Sequence, residues 1–339
     1  QQDDLPTARS MMGIAMFLRR QMLPVGLLTV AIIGLIWPAP GRAMALLPTQ
    51  YVAVSIIFLC SGLLLRTQEI RHAVSAWPAT LWGMTSILFV TPAVGVAVAL
   101  HAPLEDSFRL GLAIFCCMPT TLSSGIALTS QAKGNTALAL LLTVSTNLLG
   151  VFTIPFVLAL ALGAVGSITL SAESLLVKLC LTILLPLIAG RLLRLRLGDW
   201  ADARRSNITV VSNLALISVP WMKFSQSSDR LAAVAPDQLL ILIGAGLVIH
   251  LLYLALNGGA TRLFGFSVPV RKAVVMMASQ KTLPVALTVL ALIPDEVLSA
   301  QSKGLVAIPC ITSHLGQIFV DAFLATRWST IDHESDGGT

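Results

Sequence analysis

Residues 116–125 read CCMPTTLSSG, and residues 278–284 read ASQKTLP. Each stretch interrupts a long apolar segment with a proline and with several hydroxyl, amide or charged groups. A helix does not continue regularly through an internal proline, because the ring removes a backbone donor and clashes with the preceding turn. Pro119 and Pro284 lie nearly half a chain length apart. We therefore predict two broken helices, at matching places in the two halves of the chain.

The rest of the chain consists of apolar segments about as long as a bilayer crossing, which takes roughly 20 residues. Of the 339 residues, 56% are hydrophobic and only 11% are charged, whereas a soluble domain carries about 25% charged residues. Lipid offers no partner for an unpaired backbone group, and these segments lack the alternation of barrel strands. The sequence therefore predicts an all-α membrane protein.

We predict ten transmembrane helices in a single domain, 1–339. Five helices form a first repeat at 1–165 and five form a second at 166–328, followed by a polar C-terminal tail at 329–339. Because five is odd, the second repeat enters the membrane inverted, and broken helices 4 and 9 match each other, as in secondary transporters. The ten predicted spans are Met22–Trp37, Ala43–Leu65, Trp77–Leu100, Leu110–Ser130, Thr136–Leu162, Leu175–Ala189, Ile208–Met222, Leu239–Leu256, Ala273–Ile293 and Gly304–Thr326.

The basic residues predict the orientation. Cytoplasmic loops of membrane proteins carry an excess of lysine and arginine, and most of the 22 such residues fall on the side of both termini. We expect that side to be cytoplasmic or stromal. Because the first residue is Gln1, we also expect that a leader has been removed. The opposite side holds only Arg42, Arg109, Lys178, Lys223, Arg230 and Lys303.

Lys281 is the residue with the strongest functional signal. It lies nine residues beyond Lys272, which is about 13 Å along a helix and close to the middle of a roughly 30 Å hydrocarbon core. A lysine at that depth is costly unless it faces a cavity or has a partner. Backbone carbonyls at the helix breaks, hydroxyls or an anionic substrate could neutralise it, and it could instead carry a proton. The structural alternative is a side chain that snorkels to the interface.

Further candidates surround the two breaks. Their oxygens and amides suit a solute or a monovalent cation, although Ser and Thr also allow helices to pack closely. On the tenth span, His314 and Gln317 share a helical face with Asp321, the acidic residue nearest to mid-span. On the eighth span, His250, Tyr253 and Asn257 share a helical face with one another. Such stripes either line a solute path or join helices. The candidates at the breaks are Thr120, Thr121, Ser123, Ser124, Ser145, Thr146, Asn147, Ser279, Gln280 and Thr282.

Enzymatic and nucleic-acid functions lack support. The five cysteines lie in apolar segments without metal-ligand spacing, and no Walker loop, nucleophile elbow or HExxH motif occurs. No basic run with interleaved aromatic residues is present, so we expect no nucleic-acid partner. The sequence predicts a protein that is not an enzyme, that has no cofactor apart from sodium as a candidate ion, and that is driven by a gradient.

The stretch at 116–125, with AKGN at 132–135 and TVST at 143–146, resembles the bile acid:sodium symporter superfamily. More narrowly, SQKTLP at 279–284 and HLGQ at 314–317 resemble its SBF-like branch. That branch contains the animal solute carrier family 10 member 7 type and the plant plastid type-four sodium/metabolite cotransporter-like proteins. The resemblance covers essentially the whole chain.

This resemblance implies a panel domain and a core domain with two crossing broken helices, a solute site between the domains and cation sites behind the crossing. Sodium-coupled members carry a glutamate on the ninth span where this chain has Ser279, Gln280 and Lys281, so we expect the Lys281 ammonium to occupy the place of a bound sodium ion. The resemblance assigns oxygen ligands of a sodium site to Ser123, Ser124, Ser145 and Thr146.

The function predicted from these observations is secondary active transport of a small organic anion or metabolite by alternating access, coupled to a cation or a proton. A cation/proton antiporter is one alternative, although such proteins normally use a mid-membrane carboxylate. A regulatory membrane protein with a transporter fold, for example one of calcium homeostasis, is another. The expected partners are the lipid bilayer and a small-molecule solute. The expected location is the plastid envelope in a photosynthetic eukaryote and otherwise the plasma membrane.

Overall fold

The computed structural model describes residues 22–65, 76–121, 124–165 and 171–336. Helices account for most of these ranges, and no β-strand occurs within them, which confirms the all-α prediction. Two π-helical stretches, Ser86–Val90 and Cys180–Leu184, continue the helices before them. The α-helices are α1 (Met22–Ile36), α2 (Ala39–Ala45), α3 (Thr49–Leu64), α4 (Trp77–Thr85), α5 (Thr91–His101), α6 (Asp106–Cys116), α7 (Ser124–Gln131), α8 (Thr136–Val165), α9 (Ala172–Leu179), α10 (Leu185–Ala203), α11 (Arg205–Leu231), α12 (Pro236–Leu263), α13 (Val268–Ser279), α14 (Leu283–Leu292) and α15 (Ala300–Asp336).

Each of the ten predicted spans contains helix. Within the described ranges, 7 helices are long and apolar enough to cross a membrane, or up to 8 when the pair Val25–Ile36 and Ala39–Ala45, bent by 102°, is taken as one span. The protein is therefore a multi-pass helical membrane protein. Its division into two inverted five-helix repeats stays a prediction.

Several helix ends differ from the predicted spans. The second span was expected to begin at Ala43, but that residue lies in α2, and α3 begins at Thr49 directly after Pro48. The helices of the sixth and seventh spans run on to Ala203 and Leu231. Hydropathy marks where a helix leaves the lipid, and a helix can continue into water beyond that point. For the same reason α15 continues to Asp336, into the segment at 329–339 that was predicted as a polar tail.

The helices of the first, second, sixth and seventh spans pack on one another as one group. Two glycines set the distance between α3 and α10. A Cβ added to Gly62 would lie 2.2 Å from the Leu187 carbonyl oxygen, and one added to Gly190 would lie 2.2 Å from that of Leu59. Small residues let membrane helices approach backbone to backbone, so this contact depends on both glycines.

The remaining helices enclose the ninth span, which consists of α13 and α14. In Val268–Leu292, 94% of an apolar stretch of 18 residues is buried inside the protein. The corresponding share in Ala172–Ala203 is 22%. From Lys272 to Ile293 the broken ninth span is buried, apart from the half-buried Pro284, and it lies at the centre of the molecule. Large apolar side chains on the outer helices are exposed and provide a surface for lipid, among them Leu160, Leu195, Leu240, Phe319 and Phe323.

Candidate functional site

The two broken segments touch each other at the centre of this bundle. The Thr282 amide donates a 2.9 Å hydrogen bond to the Pro119 carbonyl. The Thr120 hydroxyl donates a 2.5 Å hydrogen bond to the Met277 carbonyl. Residues from the two halves of the chain thus share hydrogen bonds at the points where their helices are interrupted.

The breaks leave backbone groups without helical partners, and side chains from neighbouring helices supply them. The Asn147 amide donates to the Thr120 carbonyl at 3.0 Å, and the Thr143 hydroxyl lies 3.5 Å from the Thr121 carbonyl. Buried backbone groups in native proteins are nearly always paired. These contacts therefore allow non-helical backbone to persist in the interior.

Lys281 lies at the ninth-span break with only 1% of its surface exposed. Its ammonium donates a 2.9 Å hydrogen bond to the Ile87 carbonyl and lies 5.7 Å from the centroid of the Tyr253 ring. Ile87 belongs to the π-helical stretch Ser86–Val90, and a π turn changes the usual pairing of its carbonyls. Among the described residues, no carboxylate lies within ion-pair distance of this ammonium. The lysine is therefore held by a carbonyl of the third span and by an aromatic face.

Gln317 holds the Lys281 backbone in place. Its Oε1 accepts from the Lys281 amide at 2.9 Å, and its Nε2 donates to the Lys281 carbonyl at 2.7 Å. The same Nε2 lies 3.0 Å from His314 Nδ1, and the Lys281 carbonyl oxygen lies 3.4 Å from that nitrogen. The other ring nitrogen of His314, Nε2, is buried and has no partner within the described structure. Both predicted residues of the tenth span thus lie at the ninth-span break.

Asp321 belongs to the site, although the sequence reasoning placed it near the end of a span and outside the candidate set. It is completely buried. Its Oδ2 accepts from Gln280 Nε2 at 2.7 Å, and its Oδ1 lies 2.9 Å from His250 Nε2. The Gln280 Oε1 in turn accepts from the Thr121 hydroxyl at 2.7 Å. The sequence signal was the helical face that Asp321 shares with His314.

A small cavity adjoins these groups, between α6, α12, α15 and the ninth-span break. Its walls include Cys116, His250, Ser279, Lys281 and Ser313. It has room for about one water molecule. The Ser279 and Ser313 hydroxyls are buried without a partner in the described structure. The cavity therefore offers unpaired polar atoms beside the buried ammonium.

The other predicted site residues lie around the breaks in different ways. The Thr146 hydroxyl donates to the Leu142 carbonyl of its own helix at 2.7 Å. Ser124 and Ser145 are half-buried, and Ser123 lies outside the described residues. Within the described ranges, no cluster of His, Cys, Asp and Glu could hold a metal ion. The sodium site of hydroxyl oxygens stays a prediction.

The polar stripe of the eighth span also faces the interior. Asn257 Oδ1 accepts a 2.8 Å hydrogen bond from the Ser86 hydroxyl at the start of the π-helical stretch. Tyr253 covers the Lys281 ammonium, and His250 contacts Asp321. The three residues thus join α12 to the third span at Ser86, to the ninth span at Lys281 and to the tenth span at Asp321.

Residues 21–330 match the model of a family described as the SBF-like CPA transporter family. The chain is 35% identical over 342 residues to a rice (Oryza sativa subsp. japonica) protein named probable sodium/metabolite cotransporter BASS4, chloroplastic, with 96% of this chain and 80% of that protein covered. The Arabidopsis thaliana protein of the same name is 36% identical over 92% of this chain and 73% of its own length. Sodium/bile acid cotransporter 7 of Xenopus tropicalis is 25% identical over 92% of this chain and 93% of its own.

Proposed function

The chain belongs to the SBF-like CPA transporter family, and from this membership we propose that it is a secondary active transporter of a small organic anion or metabolite. The observation that carries the proposal is the Lys281 ammonium, buried where the two broken segments meet. Transporters bind their solutes at paired helix breaks, where unwound backbone and half-helix ends supply the ligands.

The charge at the break favours an anionic solute. A buried ammonium is costly when only neutral groups surround it. The Lys281 ammonium has a carbonyl and an aromatic ring as its partners in the described structure. A carboxylate, sulfonate or phosphate group of a solute would add the missing negative charge.

Alternating access requires two groups of helices that move against each other. The first, second, sixth and seventh spans would form the panel, and the spans around the ninth would form the core, as two inverted repeats. α11 and α15 contact each other across this boundary. The cavity beside Lys281 is too small for an organic solute, so the solute would enter through a path that opens at the boundary.

A cation and a proton are the two candidates for the coupled ion. The relatives are named sodium cotransporters, and a sodium ion would bind hydroxyl oxygens such as those of Ser124, Ser145 and Thr146, with Ser123. The Lys281 ammonium would occupy the place of a second sodium ion. The excess of basic residues on the side of the termini favours cytoplasmic or stromal termini. The chloroplastic relatives favour the plastid envelope in a photosynthetic source and the plasma membrane otherwise.

A transport assay tests this proposal. Purified protein would first be screened by thermal shift against carboxylate, sulfonate and phosphate anions, because a ligand stabilises in proportion to the logarithm of its concentration over Kd. Uptake of a stabilising anion would then be measured in liposomes. We expect Lys281→Ala and Lys281→Glu to reduce uptake at least tenfold, and Lys281→Glu to make the residual uptake sodium-dependent.

The matched control is Lys178→Ala. The Lys178 ammonium also donates to a backbone carbonyl, that of Leu292, at 3.2 Å, but it lies away from the breaks. Its loss should leave uptake unchanged. The proposal fails if both Lys281 variants transport like the wild type, or if no anion binds or enters.

A second candidate function is cation/proton exchange. The sequence reasoning counted against it because no carboxylate stood at mid-span, yet Asp321 is completely buried and contacts Gln280 at the break. Liposomes with an imposed pH gradient separate the two functions. An antiporter would dissipate the gradient when sodium or potassium is added without any organic anion.

A further inference from the structure

His250 bridges the eighth, ninth and tenth spans. Its Nδ1 lies 3.1 Å from the Ser279 carbonyl oxygen, and its Nε2 lies 2.9 Å from Asp321 Oδ1. Both His250 and Asp321 are buried. The imidazole therefore joins the end of α13 to a carboxyl group on α15.

The geometry determines how many protons this pair holds. A carbonyl oxygen only accepts, so His250 Nδ1 carries a hydrogen. If Asp321 is ionised, Nε2 must carry a second hydrogen to donate to it. If the imidazole is neutral, Asp321 must carry the hydrogen and donate it to Nε2. In both cases one proton lies on the contact between Nε2 and Oδ1, and the pair has no net charge.

Loss of that proton would break one of the two His250 contacts, because a neutral imidazole carries a hydrogen on only one ring nitrogen. If that hydrogen is on Nδ1, the Nε2 lone pair faces a carboxylate oxygen and the two repel each other. If it is on Nε2, the Nδ1 lone pair faces the Ser279 carbonyl oxygen. A buried carboxylate without a donor on that side is also costly. The arrangement in the structure is therefore that of the proton-loaded pair.

The state of Asp321 reaches both broken helices through Gln280. The Gln280 amide donates to Asp321 Oδ2 at 2.7 Å and accepts from the Thr121 hydroxyl at 2.7 Å. Because the amide nitrogen bonds to Asp321 and the amide oxygen bonds to Thr121, the Gln280 side chain cannot rotate without losing both hydrogen bonds. A shift of the carboxyl group thus acts on the ninth-span break directly and on the fourth-span break through one side chain.

We propose that His250 and Asp321 form a proton-binding site that couples solute transport to a proton gradient. This inference rests on the proposed transporter function and names its coupled ion. On release, the N–H bond of His250 or the O–H bond of Asp321 in this contact breaks, and its two electrons stay on that nitrogen or oxygen atom. A water molecule takes the proton, and the charge of the pair changes from neutral to −1. The small cavity, which His250 lines, provides the place for that water.

Other titratable groups lie on the elements that pack around this pair. Lys281 lines the same cavity, and its positive charge would offset the carboxylate after release. α7 carries no titratable side chain. The other groups include Arg271 and Lys272 on α13, Asp237, Tyr253 and Arg262 on α12, Lys303, Cys310, His314 and Arg327 on α15, Asp106, Arg109, Cys116 and Cys117 on or at the end of α6, and Lys223 and Asp229 on α11.

Asp321→Asn tests the site because asparagine imitates the loaded pair. Its amide can donate to His250 Nε2, and its oxygen can accept from Gln280, but it has no proton to release. We expect the wild-type Tm to be lower once the pair has lost its proton, because a hydrogen bond of the buried pair is then missing, and we expect the Tm of this variant to change less with pH. Asp237→Asn, at an exposed site in the first turn of α12, should follow the wild type.

Uptake of the anion found by the thermal-shift screen gives the second readout, in sodium-free liposomes that contain a pH-sensitive dye. An outside-acid gradient should drive accumulation and acidify the interior in the wild type. Asp321→Asn should reduce the gradient-driven uptake at least tenfold. If it does not fold, His250→Gln, which also cannot take up a proton, should show the same loss.

Two failures are distinguishable. The proposed proton-binding site is wrong if the wild type transports the anion without acidification, or if Asp321→Asn accumulates the anion equally. The proposed transporter function is unaffected by either result. If the wild type neither binds nor transports any anion, the proposed function itself is wrong.

Discussion

The Thr120 hydroxyl donates to the Met277 carbonyl at 2.5 Å, and this bond joins the fourth-span break to the last turn before the ninth-span break. Thr120 is completely buried, so water does not replace the bond. Two interruptions that sequence alone shows only as separate prolines therefore form one hydrogen-bonded unit.

Thr120→Val should destabilise the protein. Valine keeps the shape of threonine but leaves the buried Met277 carbonyl without this donor, which costs about 1–3 kcal/mol. Thermal unfolding in detergent measures the change. Thr182→Val is the control, since the Thr182 hydroxyl donates only to the Lys178 carbonyl of its own helix. Equal shifts in the two variants would contradict a special role for the contact between the breaks.

Lys281→Met should separate stability from transport. Methionine removes the buried charge and its desolvation cost but leaves the Ile87 carbonyl unpaired, and the two effects oppose each other. We expect a Tm close to that of the wild type, with anion binding weakened at least tenfold. Lys178→Met should change neither quantity. A variant that unfolds would show that the ammonium supports the fold rather than the solute.

Gly95→Ala should disturb the aromatic cover of Lys281. A Cβ at this position would lie 1.8 Å from the Tyr253 hydroxyl and 2.5 Å from Cys116 Sγ. Overpacking of this kind costs about 1–3 kcal/mol, and we expect both a lower Tm and weaker anion binding. Gly244→Ala, where no atom lies within 4 Å of the added Cβ, should be neutral or slightly stabilising. If the two variants behave alike, the tight contact at Gly95 does not position Tyr253.

Gly62→Ala should separate α3 from α10. The added methyl meets the backbone of Leu187 and Arg191, and backbone cannot rotate away as a side chain can. We expect a loss of at least about 2 kcal/mol in the free energy of unfolding, in line with overpacking of close contacts. The measurement is a denaturation curve, with Gly258→Ala as the control because its added Cβ meets nothing. An unchanged curve for Gly62→Ala would mean that the contact is looser than the structure shows.

The broken helices were predictable because proline and polar residues stand out against apolar surroundings. The mid-bilayer depth of Lys281 was predicted by the same reasoning, since the rise of a helix is constant, and it stays a prediction. The Gln317 contact agrees with the predicted face of the tenth span. These features are local, and a local pattern in the sequence is enough to indicate them.

The partners of the central residues were not predictable in the same way. Ile87 accepts from Lys281 through its backbone carbonyl, in a π-helical stretch that ends two residues before Pro92. Asp321 lies near the end of the span predicted by hydropathy, yet its side chain points into the centre. His250 meets it from another helix. Such pairs depend on how helices are placed against each other, which a single sequence does not state.

The burial of the ninth-span break has a consequence for how the protein is made. The Gln280 side chain and the Lys281 amide have partners on α15, Asp321 and Gln317. Those residues are synthesised after the ninth span. Until then, polar groups of the break lack their hydrogen bonds in a setting where lipid offers none. Biogenesis of the bundle is therefore completed only when its C-terminal helix arrives.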